Sequence, residues 1–308
     1  MASKSPTLVA KMQAVRFLVR HLGRYDPDGR NRLREGRLVG YSRCIVRSRH
    51  VVAYCGRSAR QIEAYELRIV SKTEICMKKI VVFTGAGVSA DSGLSTFRDA
   101  DGLWANYRIE DVCTPEALAR NRALVVEFYN KRRKEMLASE PNAAHYAIAA
   151  LERSFDVEVV TQNIDDLHER AGSSRVTHLH GELAKLRSER NPDLIVPAEG
   201  WEQPLDACAS DGSLLRPHIV FFGESVPEFD RATRIAASAD IMIVVGTSLA
   251  VYPAASLVRY AREGVPVYMV DPGTPDTAVI RNPLTHIKAR AAVGMPELAE
   301  RLETEAVR

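Results

Sequence analysis

The chain has 308 residues, enough for one large domain or two ordinary ones, and its 46% hydrophobic and 26% charged residues are typical of a soluble globular protein. No stretch approaches 18 consecutive apolar residues, so no membrane-spanning helix and no membrane partner are predicted. The five cysteines are scattered and form no C-x-x-C pair, which argues against a disulfide framework or a four-cysteine zinc site and favours a reducing compartment, for which we predict the cytoplasm.

Positive charge is concentrated at the N-terminus. Residues 1–76 hold 16 Lys or Arg and 6 Asp or Glu, a net charge of +10, so the remainder carries −7 of the total of +3. We predict that this segment is an extension, either disordered or the artefact of a start codon upstream of Met77. A basic arm that seeks nucleic acid and an organelle transit peptide are the alternatives. Its basic residues are not interleaved with aromatics densely enough to predict a specific nucleic-acid site.

From Met77 onward, short apolar runs alternate with helical patterns. Strands are predicted over 79–85, 156–163, 175–181, 217–223, 240–248 and 265–272, and helices over 115–137, 142–155 and 252–264. Several of the strands are near-continuous Val, Ile and Met runs, as parallel strands buried on both faces require. The alternation predicts an α/β fold of the Rossmann type, a doubly wound parallel sheet.

Two stretches do not fit this alternation. Residues 103–155 contain helical patterns without a strand, and residues 184–215 are rich in Pro, Gly, Asn and Asp with no clear element. Both are interpreted as insertions that together form a smaller second lobe. A cleft between two lobes is a favoured place for a ligand.

A glycine turn follows the strand predicted over 79–85. Gly85, Gly87 and Ala90 satisfy G-x-G-x-x-A, a pattern that binds the pyrophosphate of a dinucleotide. The first glycine permits the tight turn, the second permits a close approach of the backbone, and the helix predicted to follow offers its N-terminus to the phosphates. Alone the pattern is weak, and a glycine turn that binds nothing is the alternative.

The residues after the turn disfavour hydride transfer. A dehydrogenase carries a second strand that ends in Asp or Glu about 20 residues on, and here that window is polar and rich in turn residues. A better candidate acid is Asp271, at the end of the last predicted strand. The loop carries Phe97, which could shield a reactive sugar carbon from water, and Arg98, which could contact a pyrophosphate. The pattern favours a dinucleotide used as a substrate.

Two further groups of polar residues follow predicted strands. Gln162, Asn163 and Asp165 are placed at the C-terminal end of the strand over 156–163, where amide and acid together could hold a carboxamide; a simple helix cap is the alternative. His178 and His180 lie two apart and are expected to face the same way. His180 precedes a glycine at a strand end and is the better candidate for a general base.

Five motifs in order resemble the sirtuin family of NAD-dependent protein deacylases, over residues 77–302. They are "GAGVSADSGLSTFRDADGLW", "TQNIDDLHERAG", "HLHGEL", "LRPHIVFFGE" and "VVGTSLAVYPAA". The resemblance implies a Rossmann-type large domain, a small domain built from two insertions, and NAD consumed as a co-substrate. It implies removal of acyl groups from protein lysines, with nicotinamide and O-acyl-ADP-ribose as products.

The resemblance also implies roles for individual residues. His180 and Asn163 are the implied catalytic residues, with His180 as the base that takes a proton from a ribose hydroxyl. The implied NAD-binding residues are Gly85, Ala86, Gly87, Ala90, Phe97, Arg98, Gln162, Asn163, Ile164, Asp165, Gly246, Thr247, Ser248 and Asp271. An acyl-lysine peptide is implied to bind as an added strand at Val220, Phe222, Gly223 and Glu224. A Rossmann-fold oxidoreductase and a non-catalytic NAD-binding module are the alternatives.

The sequence departs from the family at its structural zinc site. Relatives usually carry two pairs of cysteines after the His-Gly motif, whereas here Ser188 and Asn191 occupy the first pair and Asp211 replaces one member of the second. The remaining Cys208 cannot hold a tetrahedral site alone. We therefore predict a branch without zinc.

A second detail concerns the substrate. Tyr129 and Arg132 are three residues apart in a predicted helix, and so lie on one face of it. This spacing is similar to that of the desuccinylase and demalonylase branch of the family. A guanidinium with a phenol hydroxyl suits a carboxylate at the tip of an acyl group. We predict activity on succinyl- and malonyl-lysine as well as acetyl-lysine; a solvated basic helix face is the alternative.

Overall fold

In the computed structural model, the described residues are 43–47, 50–55, 63–68, 77–94 and 107–307. The chain divides into two compact units, Met1–Ile75 and Cys76–Arg308. In the first unit, β1 (Arg43–Arg47), β2 (His50–Cys55) and β3 (Glu63–Arg68) form an antiparallel sheet in the order β1-β2-β3. These strands were not expected from the sequence. Most of residues 1–76 lie outside the described ranges, and the interpretation of this segment stays a prediction.

The described residues of the second unit form two sheets. Its strands are, in chain order, β4 (Lys79–Thr84), β5 (Asp156–Thr161), β6 (Val176–His178), β7 (Gly181–Ser188), β8 (Ile195–Pro197), β9 (Leu215–Ile219), β10 (Ile241–Val245), β11 (Val267–Val270) and β12 (Leu284–Ile287). The larger sheet is parallel with the order β12-β11-β10-β4-β5-β6. The chain therefore runs outward from β4 in both directions, which is the doubly wound arrangement.

Helices cover both faces of the parallel sheet. The described helices are α1 (Ile109–Val112), α2 (Pro115–Arg120), α3 (Arg122–Ala138), α4 (Ala143–Ala150), α5 (Leu167–Arg170), α6 (Phe229–Ala237) and α7 (Ala291–Val307). Alternate residues of β4 face opposite sides: Val81 and Phe83 pack in a core with α6, whereas Ile80 and Val82 pack in a core with α4 and α7. Residues of one strand are thus buried on two faces, which explains the continuous apolar runs. The predicted fold class is confirmed.

A small lobe lies beside this sheet and consists of α1–α3 and the antiparallel sheet β8-β7-β9. These helices and the antiparallel sheet share one core, in which Phe128 and Met136 of α3 pack with Leu183 of β7, Ile219 of β9 and Phe221. The stretch 184–215 therefore holds most of β7, all of β8 and the start of β9, although the sequence predicted no clear element there. The strand predicted over 217–223 is β9, which pairs antiparallel with β7 and ends at Ile219.

Three helical predictions need correction. The helix predicted over 115–137 is broken at Asn121, whose side chain instead caps α3 by accepting from the Leu124 N–H at 3.2 Å. The helix predicted over 252–264 is a 3₁₀ segment, Ala254–Tyr260. The glycine turn is followed by two short 3₁₀ segments, Ala86–Val88 and Ala90–Ser92, in place of the expected α-helix.

Candidate active site

A cavity of about 810 Å³ lies at the C-terminal ends of the parallel strands and extends to the small lobe. The described residues that the sequence predicted for the site all line it. They are Gly85, Ala86, Gly87, Ala90, Tyr129, Arg132, Gln162, Asn163, Ile164, Asp165, His180, Val220, Phe222, Gly223, Glu224, Gly246, Thr247, Ser248 and Asp271. Phe97 and Arg98 lie outside the described residues. Segments far apart in sequence thus meet in one place.

The glycine turn packs directly against the loop that follows β10. The N–H of Gly85 donates to the Val245 carbonyl at 3.0 Å, and the N–H of Gly87 donates to the Gly246 carbonyl at 2.8 Å. A Cβ on Gly87 would lie 2.7 Å from the Cα of Gly246, so a side chain at this position would push the two loops apart. Gly87 therefore permits the turn to pack closely against the loop after β10. The sequence predicted a close approach of this backbone to a ligand only.

A connected group of polar side chains lines the cavity beside this turn. Asn163 donates from Nδ2 to Ser89 Oγ at 3.0 Å, and Ser89 donates to Asp165 Oδ2 at 3.1 Å. Burial raises the pKa of Asp165, although hydrogen bonds from the Leu167 N–H and from Ser89 oppose the shift. These groups present fixed donors and acceptors in a water-poor environment, which suits a small amide ligand. The sequence analysis did not single out Ser89.

Two buried histidines stand behind this group. His145 Nε2 lies 3.4 Å from Ser89 Oγ, and the rings of His145 and His168 meet edge-on with centroids 4.9 Å apart. His168 Nε2 lies 3.0 Å from Thr84 Oγ1. Burial lowers the pKa of His145 to about 4 and that of His168 well below its usual value, so both rings are neutral near pH 7. They pack behind Ser89 and stabilise the group of polar side chains without adding charge to the cavity.

His180 presents its ring to the cavity with a defined tautomer. Its Nδ1 lies 3.0 Å from the Gln162 carbonyl, which can only accept, so Nδ1 carries the proton and Nε2 of the neutral ring keeps its lone pair. Burial lowers the pKa of His180, partly offset by this hydrogen bond. A neutral imidazole with a free Nε2 is the form that a general base requires.

His178 has a different environment from His180 and is not among the residues that line the cavity, contrary to the expectation that the two face the same way. Its Nδ1 lies 2.9 Å from the Asn163 carbonyl and its Nε2 lies 2.9 Å from Glu169 Oε1. Burial lowers the pKa of His178, but the hydrogen bond and charge of Glu169 outweigh it, and the pKa is raised overall. His178 therefore has a structural role, because hydrogen bonds at both ring nitrogens fix the chain at Asn163.

The opposite end of the cavity carries charge. Asp271, directly after β11, accepts the Gly273 N–H at 2.8 Å through Oδ1. Arg290, just before α7, forms an ion pair of 3.2 Å with Asp91 of the second 3₁₀ segment. Both Asp91 and Arg290 line the cavity, and the sequence analysis missed both. Nothing local marks them, because they approach each other from segments about 200 residues apart.

The end of the cavity inside the small lobe is mostly apolar and has a polar tip. Met136, Leu183, Ile219 and Phe221 contribute to its walls, and Tyr129, Arg132 and Cys113 contribute the polar atoms. Tyr129 is 3% exposed, and burial raises its pKa well above the usual value, so its phenol is neutral. Burial also lowers the pKa of Arg132, but a guanidinium remains charged at any physiological pH.

The mouth of the cavity is formed by the turn after β9. Phe222 is 42% exposed there, and Val220 donates its N–H to the His180 carbonyl at 2.9 Å. Gly223 has φ +91°, which favours glycine. The Glu224 carboxylate is already bound, since it accepts from Arg216 at 2.6 Å and from the Phe221 N–H at 2.8 Å. Glu224 therefore fixes the turn, and its side chain is not free for a peptide.

The positions predicted to have lost a zinc site cluster in the small lobe. Ser188 Oγ donates to Asp211 Oδ2 at 2.7 Å and accepts the N–H groups of Arg190 and Asn191 at 3.1 and 2.9 Å. Cys208 has an exposed side chain and lies in a hairpin over 208–214, closed by an antiparallel bridge to Leu214, which also contains Asp211. Within the described ranges, no group of three or more His, Cys, Asp or Glu side chains is placed to hold a metal ion, and no helix is long and apolar enough to cross a membrane.

Comparison with known proteins agrees with this geometry. The model of the Sir2 family matches residues 85–253. A protein of Aggregatibacter actinomycetemcomitans named NAD-dependent protein deacylase is 54% identical over 210 residues, which cover 68% of this chain and 99% of that protein.

Solved structures are similar as well. A mutant Sir2 homologue in complex with ADP-ribose superposes with a TM-score of 0.68 at 41% identity, over 75% of this chain and 94% of that chain. A Sir2 protein with a deacetylated p53 peptide and 3′-O-acetyl ADP-ribose superposes with a TM-score of 0.59 at 33% identity, over 74% and 94% of the two chains.

Proposed function

The chain belongs to the Sir2 family and is an NAD-dependent protein deacylase, and on that premise we propose that it removes succinyl and malonyl groups from lysine side chains in addition to acetyl groups. The observation that carries the proposal is the pair Tyr129 and Arg132, which contributes polar atoms to the mostly apolar inner end of the cavity. An acyl chain that enters past His180 would meet these two residues with its far end.

The chemistry of this pair matches a carboxylate. The Arg132 guanidinium offers several N–H donors and a charge that persists although burial lowers its pKa. The Tyr129 phenol keeps its proton, because burial raises its pKa, and so it can donate one further hydrogen bond. Bonds from a charged donor to a carboxylate are about twice as strong as neutral ones, and the apolar walls strengthen them further. A small acetyl group fits the same space without these bonds.

The residues present also fit NAD. The glycine turn lies at the C-terminal edge of the parallel sheet, where dinucleotides bind in this class of fold. We assign the nicotinamide carboxamide to Asn163 and Asp165, whose side chains meet at Ser89, and the adenosine ribose to Asp271. The other residues proposed to contact NAD are those that the family resemblance implies, including Phe97 and Arg98. Bound there, NAD supplies an electrophilic ribose carbon to which the acyl oxygen adds as nicotinamide departs.

The protein's own part in the reaction is to orient groups and to move a proton. The Gln162 carbonyl holds the Nδ1 proton of His180, which leaves Nε2 to take a proton from a sugar hydroxyl. Asn163 is fixed through Ser89 and Asp165, so it can orient the leaving amide without reorganisation. The apolar walls around the acyl group limit the entry of water, which favours transfer to the sugar over direct hydrolysis.

The protein substrate is proposed to bind as an added strand at the mouth of the cavity. The N–H groups of Val220 and Phe222 already donate to the carbonyls of His180 and Cys113, so at these two residues pairing with a peptide must use the carbonyl groups. Exposed Phe222 and Tyr252 offer apolar contact to residues that flank the acyl-lysine. Glu224 contributes by holding the turn, and its role in binding is indirect.

We also propose that the small lobe is stable without zinc. The hydroxyl of Ser188, at one expected ligand position, joins the Asp211 carboxylate to the backbone at Arg190 and Asn191. Hydrogen bonds from Ser188 and Ser213 lower the pKa of Asp211 to about 2, so the carboxylate is ionised at neutral pH. This hydrogen-bonded group supports the proposal, because it connects the same two segments that a metal would connect. A cytoplasmic location is likewise proposed, on the scattered cysteines alone.

The function is tested by mass spectrometry of the purified full chain with NAD and acetyl-, succinyl- or malonyl-lysine peptides. We expect each peptide to yield nicotinamide and the matching O-acyl-ADP-ribose, with kcat/KM higher for the acidic acyl groups than for acetyl. Turnover of acetyl-lysine alone would overturn the proposed acyl preference. Reduced NAD as a product would favour the oxidoreductase alternative, and intact NAD with bound peptide would favour a binding module.

A further inference from the structure

Cys113 lies at the inner end of the cavity, between α1 and the N-cap of α2. It is 3% exposed, and its Sγ lies 3.4 Å from the hydroxyl oxygen of Tyr129. Cys113 belongs to the turn between α1 and α2, Tyr129 belongs to α3, and both line the cavity. The thiol therefore touches the hydroxyl to which the acyl carboxylate has been assigned.

The direction of this hydrogen bond decides what Tyr129 can do. A phenol has one proton, so a hydroxyl that donates to sulfur has none left for a ligand. Burial raises the pKa of the Cys113 thiol to about 11, although the hydrogen bond with Tyr129 and the charge of Arg132 oppose the shift. The thiol therefore retains its S–H at neutral pH and can donate to the phenol oxygen.

A carboxylate in the cavity selects one of the two directions. It accepts hydrogen bonds only, so the phenol must donate to it, and the thiol must then donate to the phenol. Such a chain of donors is cooperative, because each bond polarises the next. Acetyl groups bring no carboxylate and gain nothing from this order.

We infer that Cys113 is a positioning residue for acidic acyl groups, whose thiol donates to Tyr129 and turns the phenol proton toward the acyl carboxylate. This inference rests on the proposed function. It assigns to Cys113 a role in acyl selectivity that depends on its donor atom and not only on its volume.

The test compares variants by the ratio of kcat/KM for succinyl-lysine to kcat/KM for acetyl-lysine peptides at saturating NAD. Both constants are measured on one preparation, so a loss of folded enzyme cancels in the ratio. Cys113→Ala removes the donor, and we expect the ratio to fall about fivefold, mainly through a higher KM for succinyl-lysine. Cys113→Ser restores a donor, and we expect the ratio to return to within about twofold of the wild-type value.

Two further variants make the test decisive. Cys208→Ser alters the exposed cysteine of the small lobe and is expected to leave the ratio unchanged. Cys113→Val keeps apolar volume without a donor and takes the place of Cys113→Ala if that variant does not fold. Equal ratios for the alanine and serine variants, or an unchanged ratio for the variant without a donor, would overturn the inference. An unmodified enzyme that does not turn over succinyl-lysine would overturn the proposed function first, and this inference with it.

Discussion

The guanidinium of Arg216 lies 3.8 Å from the ring centroid of Phe221. The ring of Phe221 stacks in turn with that of Tyr129, with centroids 5.8 Å apart and an interplanar angle of 23°. Arg216 is held by Glu224, which also binds Arg187 at 3.3 Å. A charge network centred on Glu224, at the mouth of the cavity, therefore supports the aromatic wall formed by Phe221 and Tyr129.

The first prediction concerns Glu224→Gln. The substitution removes the charge that compensates two arginines, one of which, Arg216, has a side chain only 8% exposed. An arginine left partly buried without its carboxylate is costly, and we expect the free energy of unfolding to fall by about 2 kcal/mol. Urea denaturation measured by circular dichroism gives this value directly.

The matched control for this prediction is Glu228→Gln. Glu228 pairs with Arg231 on the surface at 3.4 Å, and both side chains are largely exposed. Surface pairs contribute little, so the loss should stay below about 0.5 kcal/mol. Similar losses for the two variants would show that the Arg216–Glu224 network does not support the fold as described.

The second prediction concerns Arg132→Met. Methionine keeps much of the side-chain volume but removes the guanidinium, so we expect kcat/KM for succinyl-lysine to fall about a hundredfold relative to acetyl-lysine, the equivalent of two charge-assisted hydrogen bonds. Steady-state kinetics with both peptides give the comparison. The neighbouring Lys131→Met removes an exposed cation that pairs with Glu127 and should not change the ratio. Equal losses for both acyl groups would mean that Arg132 does not contact the acyl carboxylate.

The central sheet could be predicted because a strand that is buried on both faces consists of a continuous run of apolar residues. Strands β4, β10 and β11 are runs of Val, Ile and Met, and such runs need no knowledge of the partner strand. Strand β12 lacks such an apolar run, since its residues are exposed or half-buried at the sheet edge. Strand β7 was missed because its mixed residues alternate between buried and half-buried positions.

The site was predictable where its residues belong to motifs, and not where contacts join separate segments. Asn163 and His180 follow strand ends, and the family resemblance supplied their roles. Ser89, His145 and His168 lie far apart in sequence and come into contact only in the folded chain. Asp91 and Arg290 likewise form an ion pair although most of the sequence of the second unit separates them. The link between Cys113 and Tyr129 depends on how the turn after α1 packs against α3, which no local pattern specifies.

The third prediction concerns pH. His180 acts as a base only when neutral, and burial lowers its pKa below the usual value of 6.5. Activity should therefore be retained as the pH falls through 7, and kcat/KM should decline only below about 6.5, as the ring takes up a proton. A pH–rate profile at constant ionic strength measures the inflection. An acidic limb centred above pH 7 would contradict the lowered pKa.

The fourth prediction concerns the N-terminal segment. The family match begins at residue 85, and residues Cys76–Arg308 form a compact unit of their own. A chain that begins at Met77 should therefore fold and keep the kcat/KM of the full chain within about twofold, because its hydrophobic cores lie within that unit. Thermal denaturation and the deacylation assay test both points. An inactive but folded truncation would show that residues 1–76 contribute to the enzyme.

The fifth prediction concerns the hydrogen-bonded group in the small lobe. Ser188→Ala leaves the N–H groups of Arg190 and Asn191 and the Asp211 carboxylate without the Ser188 hydroxyl, and Ser188 is only 1% exposed. We expect a loss of about 2 kcal/mol in the free energy of unfolding, measured by urea denaturation. Ser210→Ala, in the exposed hairpin over 208–214, is the control for Ser188→Ala and should be neutral.

The absence of zinc is tested separately. Because one cysteine cannot hold zinc, elemental analysis should find less than about a tenth of a zinc ion per chain, and a chelator should not change the melting temperature. Stoichiometric zinc, or a melting temperature lowered by the chelator, would mean that a metal and not Ser188 connects the two segments.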